Sequence, residues 1–333
     1  MQIFRQDVLF VCLLVISLLT PSLLTPSLVA QEAADAVAAN EAGLLTYESP
    51  RTQIWKVGLS LDTGGANCAN VVATFPIFMN WPEQKVTLVD QQVSPGITKW
   101  GPRDLLGGAR QVQVLMRQAP AGSTIDLMLT FEIERSRILG PTPEQTALLQ
   151  IPSRPEREVR LAMGNSPYIN TSDARIKAAA REIAAMEADN DWQRVELAYD
   201  WVREKVTYTE GDLKSASEAL RDGTGDCEEL TSLFIAICRN LRVPARMVWI
   251  PGHCYPEFYL EDSEGNGTWF PCQAAGTRQF GKMDEYRPVL QKGDRFKVPE
   301  QSAPQRYVSE FFSCKKLRGS GDPNPTFIRE LVE

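Results

Sequence analysis

The sequence predicts an α+β protein in two parts: a β-sandwich-like domain, then a core in which buried helices precede an antiparallel sheet. Three observations predict it. Between residues 46 and 155, runs of β-formers with partial alternation are separated by Gly and Pro clusters. Between residues 173 and 241, apolar residues recur at helical spacing. Between residues 247 and 273, strand-like runs flank a polar, glycine-containing turn.

A chain of 333 residues, 43% hydrophobic and 23% charged, fits a soluble protein of two domains. Its net charge of −7 and the lack of a long basic run argue against a nucleic-acid partner or an anionic membrane surface. Met1 to Asp7 carries Arg5, Val8 to Leu19 is strongly apolar, and a mixed apolar stretch continues to Ala30. This pattern predicts a signal peptide over residues 1–30, cleaved after Ala30 or as late as Ala36, and export to the periplasm or extracellular space. An uncleaved membrane anchor is the alternative, but Pro21 and Pro26 interrupt the roughly 20 apolar residues that a span requires.

The elements follow in order. Residues 31–45 are Ala-rich and polar and are expected as a linker. The β-rich domain, residues 46–155, shows strand patterns at Gln53–Leu59, Asn70–Phe75, Gln84–Val89, Gln111–Leu115 and Ile125–Ile133. Prolines punctuate residues 140–170, and a connector is placed at 156–172. Ile176, Ala180, Ile183 and Ala184 mark a helix capped by Ser172 or Asp173, and Val195, Ala198, Tyr199 and Val202 mark a second from near Asp191. Ser215 to Leu220 makes a helical turn. Gly223-Thr224-Gly225-Asp226 is then a helix-start signal, and Leu230, Phe234, Ile237, Cys238 and Leu241 form the buried stripe that follows. Met247–Ile250, His253–Leu260 and Thr268–Gln273 read as strands. Residues 285–333 are expected as a C-terminal extension packed on the core.

Cys227 lies in the first turn of the stripe helix, where unpaired amide N–H groups and the positive end of the helix dipole stabilise a thiolate. A nucleophilic thiol also needs a proton acceptor, and His253 is the chain's one histidine. The two therefore form a candidate catalytic pair.

Gly225-Asp226-Cys227, Arg239-Asn240-Leu241-Arg242-Val243-Pro244-Ala245-Arg246, His253-Cys254-Tyr255-Pro256-Glu257 and Trp269-Phe270-Pro271-Cys272-Gln273 match, in order and spacing, a known pattern. Over residues 175 to 275 the chain resembles the core of the transglutaminase-like superfamily, related in mechanism to papain-like cysteine proteases. The resemblance implies a transglutaminase-like (papain-like) core over residues 173–284, with an N-terminal β-domain of the kind that accompanies many such cores. It also implies acyl transfer through a Cys227 thioester on a protein or peptide substrate, with no cofactor. Hydrolysis, as a protease or deamidase, is favoured over cross-linking because water is the default acceptor.

The third catalytic position, usually Asp in the family, is Gln273, whose oxygen can orient the imidazole without supplying charge. Glu257 is a second candidate orienter, with a structural role as its alternative. Tyr208 matches the upstream aromatic that helps form an oxyanion hole in several members, with plain packing as its alternative. A neutral Gln273 also supports a second reading, a catalytically weak scaffold or binding protein. Oligomeric state is left open.

Seven cysteines do not make a disulfide scaffold. No C-x-x-C occurs and one histidine is a poor ligand supply, so no metal site is expected. Cys238 reads as a packed core thiol, and the pairing of Cys68 with Cys314 is left open. If His253 faces Gln273 across an antiparallel pair, Cys254 faces Cys272 with a three-residue loop beyond, and a Cys254–Cys272 disulfide is expected behind the catalytic pair. Two buried free thiols are the alternative.

Overall fold

Alternation builds the first half of the chain. Along β1 (Thr46–Asp62), Trp55, Val57, Leu59 and Leu61 are buried while Lys56 and Ser60 between them are partly exposed. The strands β2 (Ala66–Ile77), β3 (Gln84–Val93), β4 (Lys99–Leu105), β5 (Ala109–Ala119) and β6 (Thr124–Leu139) follow. The computed structural model describes residues 43–319 and 321–332, so the expected signal peptide and nearly all of the expected linker lie outside the described residues.

The core begins with two short turns of helix, α1 (Pro143–Thr146) and α2 (Arg157–Arg160), and then α3 (Ala174–Ala184) and α4 (Asp191–Lys205). A two-residue strand β7 (Thr207–Tyr208), α5 (Ala216–Asp222) and β8 (Thr224–Gly225) lead into α6 (Cys227–Asn240). After α6 come β9 (Ala245–Ile250), β10 (His253–Glu261), β11 (Gly267–Pro271) and β12 (Gln291–Lys292), which form one antiparallel sheet in the order β11-β10-β9-β12. Helix α6 packs against this sheet and is surrounded by the other helices. From Glu229 to Arg239 every residue is buried, the signature of a central helix rather than a surface one.

The last strands, β13 (Phe311–Gly319) and β14 (Asn324–Leu331), return to the first half of the chain. They complete two four-stranded antiparallel sheets, in the orders β14-β1-β6-β3 and β13-β2-β5-β4. The two inner faces share one apolar cluster that includes Val57, Leu59, Phe75, Val112, Leu127 and Phe131. The expected C-terminal extension is therefore only partly an extension on the core. Its first part adds β12 beside β9, and its last two strands become edges of the sandwich, with Phe312, Cys314 and Phe327 packed on the sandwich core. Cys68 on β2 and Cys314 on β13 are free thiols in side-chain contact.

Buried charges join sandwich and core. Lys292 Nζ lies 2.8 Å from Glu83 Oε1 and 2.6 Å from Glu257 Oε1, and Arg246 Nη2 is 2.7 Å from Glu257 Oε2. Arg135 donates to the hydroxyl of Tyr255 at 3.2 Å and sits 3.7 Å from Glu83. Beneath α6, the Arg239 guanidinium donates to both oxygens of Asp294 at 2.9 and 2.8 Å and to the carbonyls of Gly164 and Ala245. Each of these charges has an oppositely charged neighbour, which is the condition for burying it.

The hairpin register differs from the expected one. Phe258 pairs with Phe270 and Glu261 with Gly267, so β11 is displaced by two residues and the loop is longer. Asp262 stabilises that loop by accepting from the backbone N–H groups of Glu264 and Asn266. A slip of two keeps every side chain on its face but moves it along the strand. Cys254 pairs with Trp249 of β9, and Cys272 donates its backbone N–H to Pro256. The expected Cys254–Cys272 disulfide is thus corrected: both cysteines are buried free thiols.

Candidate active site

The site is built on the start of α6. Asp226 is its N-cap and accepts from the N–H of Glu228 at 2.7 Å, while Glu229 accepts from the N–H of Asp226 at 2.8 Å and from that of Lys214 at 2.8 Å. Gly223 ends α5 in the left-handed region, with φ 68°. Gly225 must lack a side chain, because a Cβ there would lie 2.6 Å from Cβ of Glu229 and break the cap. Pairing of β7 with β8 then sets Tyr208 beside Gly225.

These constraints leave the Cys227 thiol half-buried at the mouth of the helix. Its pKa is pulled down to about 5: the Cys254 thiol donates a hydrogen bond to it, His253 adds a second bond and a positive charge, and the backbone N–H of Cys254 adds another, together outweighing burial. Burial opposes a charged His253, but its bonds to Cys227 and Gln273 outweigh that effect and raise its pKa. His253 Nε2 and Gln273 Oε1 are 2.9 Å apart, so the ring N–H on Nε2 donates to the amide oxygen and the other ring nitrogen is left for the sulfur. The result is a thiolate–imidazolium pair with a neutral orienting amide.

Gln273 is itself anchored by α4. Its carbonyl accepts from the Tyr199 hydroxyl at 2.7 Å and from Arg203 at 3.0 Å, and its N–H donates to Gln279 at 2.8 Å. At the rim, Arg306 ion-pairs with Glu228 and lies over the rings of Trp249 and Tyr168, 5.3 and 5.5 Å from their centroids. Burial nevertheless lifts Glu228 to about 7, because Asp226 and the Cys227 thiolate oppose the charge that Arg306 favours. Arg287 donates to the carbonyl of Pro251 at 3.2 Å, next to the His253 turn.

The structure brings Cys227, His253 and Gln273 together, with Tyr208 half-exposed and close enough for the thiolate charge to raise its hydroxyl pKa, after the effect of burial. Glu257 is not part of this group: both its oxygens are taken by Arg246 and Lys292. Cys254, expected to point away from the site, instead touches Cys227. Sequence reasoning missed Tyr199 and Arg203 as anchors of Gln273. Tyr199 carried only a packing signal on its helix stripe, and nothing local marks Arg203. Among the described residues, no group of three or more His, Cys, Asp or Glu side chains gathers to hold a metal ion.

The family model of the transglutaminase-like superfamily matches residues 177–274, which span α3 to the Gln273 corner. Residues 177–274 form a transglutaminase-like domain. Its nucleophile position at a helix start and its histidine at a strand start are the features of a cysteine-enzyme core.

Around that transglutaminase-like domain, the whole chain is similar in fold to a provisionally named cysteine protease from Cytophaga hutchinsonii, with a TM-score of 0.56 and 16% identity over 87% of this chain and 93% of that one. A provisionally named protease from Parabacteroides distasonis overlaps more loosely, with a TM-score of 0.27 and 11% identity over 67% of this chain and 47% of that one. No curated protein matches the sequence. The sandwich-plus-core arrangement is thus shared with a solved structure.

Proposed function

We propose that the protein is an exported cysteine amidase that opens peptide bonds or glutamine side-chain amides through a thioester, with water as acceptor. The observation that carries this reading is the half-buried Cys227 thiol held near pKa 5 beside a histidine oriented by Gln273. The sulfur attacks the amide carbonyl carbon, and the carbonyl oxygen becomes an oxyanion that the N–H of Cys227 and the hydroxyl of Tyr208 stabilise. The proton on His253 passes to the leaving nitrogen as the C–N bond breaks. His253, now neutral, takes a proton from water, the hydroxide adds to the thioester, and the thiolate leaves. A peptide substrate yields a new amine and a new carboxylate; a glutamine side chain yields ammonia and glutamate.

Export rests on the apolar N-terminal stretch with its early arginine, which fits a signal peptide. The neutral orienter Gln273 favours one competing reading, a scaffold with little turnover. Incubating the purified protein with glutamine-containing peptides in ¹⁸O-labelled water, with and without a primary amine, tests both. One ¹⁸O in a new carboxylate that is lost in Cys227→Ala supports hydrolysis. An amide to the added amine supports transfer. No product with either acceptor, across a broad peptide library, supports the scaffold.

A further inference from the structure

Arg306 is a charge that this chemistry leaves unused, and three parts of the chain hold it beside the nucleophile. Its Nη1 is ion-paired with Glu228, the residue that follows Cys227 in the first turn of α6. Its guanidinium lies 5.3 Å from the ring centroid of Trp249, which pairs with Cys254 one step from the pairing of Ile250 with His253. The Tyr168 ring centroid is 5.5 Å away. The backbone on either side of Arg306 is fixed as well. The N–H of Gln305 donates to the carbonyl of Phe296 at 2.8 Å, and the N–H of Val308 donates to the Gln291 side chain at 2.9 Å.

Tyr168 sits where its turn asks for another residue. Ser166 and Ile169 exchange backbone hydrogen bonds at 3.2 and 3.0 Å across Pro167 and Tyr168, and Tyr168 has φ 66°. Proline followed by a left-handed residue is the type II pattern, and its left-handed position favours glycine. Tyr168 is 43% exposed, so burial does not offset the strain of that conformation. The ring's contact with Arg306 is what the strained position provides, which points to a use for the side chain rather than the backbone.

Resting on the reading of Cys227 as the nucleophile, we propose that Arg306, shelved on Trp249 and Tyr168, binds a substrate carboxylate close to the amide under attack, so that acidic peptides are the preferred substrates. A guanidinium that lies over aromatic rings offers its N–H edge to a partner. Glu228 takes Nη1, whereas Nε and Nη2 have no partner among the described residues and are not sealed from solvent. Those two nitrogens form the fork that receives a carboxylate through two parallel bonds. Glu228, lifted to about 7, carries only part of its charge at neutral pH and opposes a second carboxylate only in part. Successive residues of an extended peptide are about 3.3 Å apart, so the carboxylate belongs within a few residues of the amide.

The test uses the full chain and pools of glutamine-containing peptides in pairs. The members of a pair differ only by Glu against Met, placed up to three residues from the glutamine, and each is made with a free and with an amidated C-terminus. Products are mapped by mass spectrometry. In wild type, kcat/KM should favour a carboxylate by about tenfold or more, the gain from one charge-assisted contact. Dependence on Glu assigns the carboxylate to a side chain, and dependence on the free terminus assigns it to the chain end. Arg306→Gln should bring the ratio close to unity. Tyr168→Gly, which suits the turn and so spares the fold, should lower it too. Each ratio is taken within one protein, so a general loss of folded protein does not move it. Equal rates in wild type, or a ratio unmoved by Arg306→Gln, overturns the proposal. Binding of the same peptides to Cys227→Ala, read by fluorescence anisotropy, needs no turnover. Carboxylate-dependent binding that Arg306→Gln removes, with no turnover in wild type, overturns the amidase reading and keeps the carboxylate site. Turnover without preference overturns the carboxylate site alone, and the absence of both turnover and preferential binding overturns the two together.

Discussion

Gln273 Oε1 lies 2.9 Å from His253 Nε2, where an acid would stand in most members of the superfamily that the sequence resembles. An amide there fixes the ring and its tautomer but adds no charge to the imidazolium. Gln273→Ala removes that bond, which at roughly 1.5–3 kcal/mol for a bond to a charged group corresponds to a loss of about 10- to 150-fold in kcat/KM. Gln273→Asp should raise the His253 pKa further and carry the upper limb of the pH–rate profile to higher pH. Steady-state kinetics of the two variants against pH check both expectations.

Tyr208 separates oxyanion stabilisation from thiol activation. Tyr208→Phe should lower turnover by roughly 10²- to 10³-fold, the cost of one lost oxyanion donor. The alkylation rate of Cys227 should change little, because no oxyanion forms in that reaction. Parallel turnover and alkylation assays measure the two effects.

The Arg239–Asp294 pair should be worth far more to lose singly than jointly. Either side chain alone would be a buried charge without a partner, so Asp294→Ala should destabilise by roughly 3–5 kcal/mol. Replacing both with apolar residues of similar volume should recover much of that loss. Denaturant unfolding of the single and double variants checks the order.

Glu83 predicts how the protein responds to acid. Burial alone would raise its pKa, but Lys292 and Arg135 overcome that and hold it below the ordinary value of 4.5. A group whose folded pKa is depressed stabilises the fold fully above its unfolded pKa, and that contribution fades as pH falls toward the folded value. The midpoint of thermal unfolding should therefore drop between pH 4.5 and more acidic pH, and the drop should be smaller in Glu83→Gln.

Particular residues show how far the sequence carried the account. The stripe Leu230, Phe234, Ile237, Cys238 made α6 legible, and the start signal at Gly225-Asp226 placed Cys227 in its first turn. His253 stood out because it has no rival in the chain. The hairpin register was missed by two residues. Its turn is longer than the shortest ones allow, and the proline-bearing ends at Pro256 and Pro271 give no pairing signal of their own. Even so, a displacement of two preserved the face, which is why Gln273 still reaches His253 while the disulfide does not form.

The two strands β13 and β14 were illegible for a different reason. They are sandwich edges with partly exposed faces, and their partners β2 and β1 lie some 250 residues earlier in the chain, a separation that no local pattern encodes. Strand β4, with Gly101 and Pro102 inside it, was missed for its edge position. Cys254 against Cys227 is likewise a long-range contact that only the packing of α6 on β10 reveals.

The most direct test of the central claim is the rate of Cys227 alkylation by iodoacetamide as a function of pH, read by peptide mass spectrometry in wild type and in His253→Ala. The account predicts labelling that is half-maximal near pH 5 in wild type and shifts markedly toward the ordinary thiol value of 9.0 in the variant. A wild-type profile centred in the ordinary thiol range and unmoved by His253→Ala would contradict it.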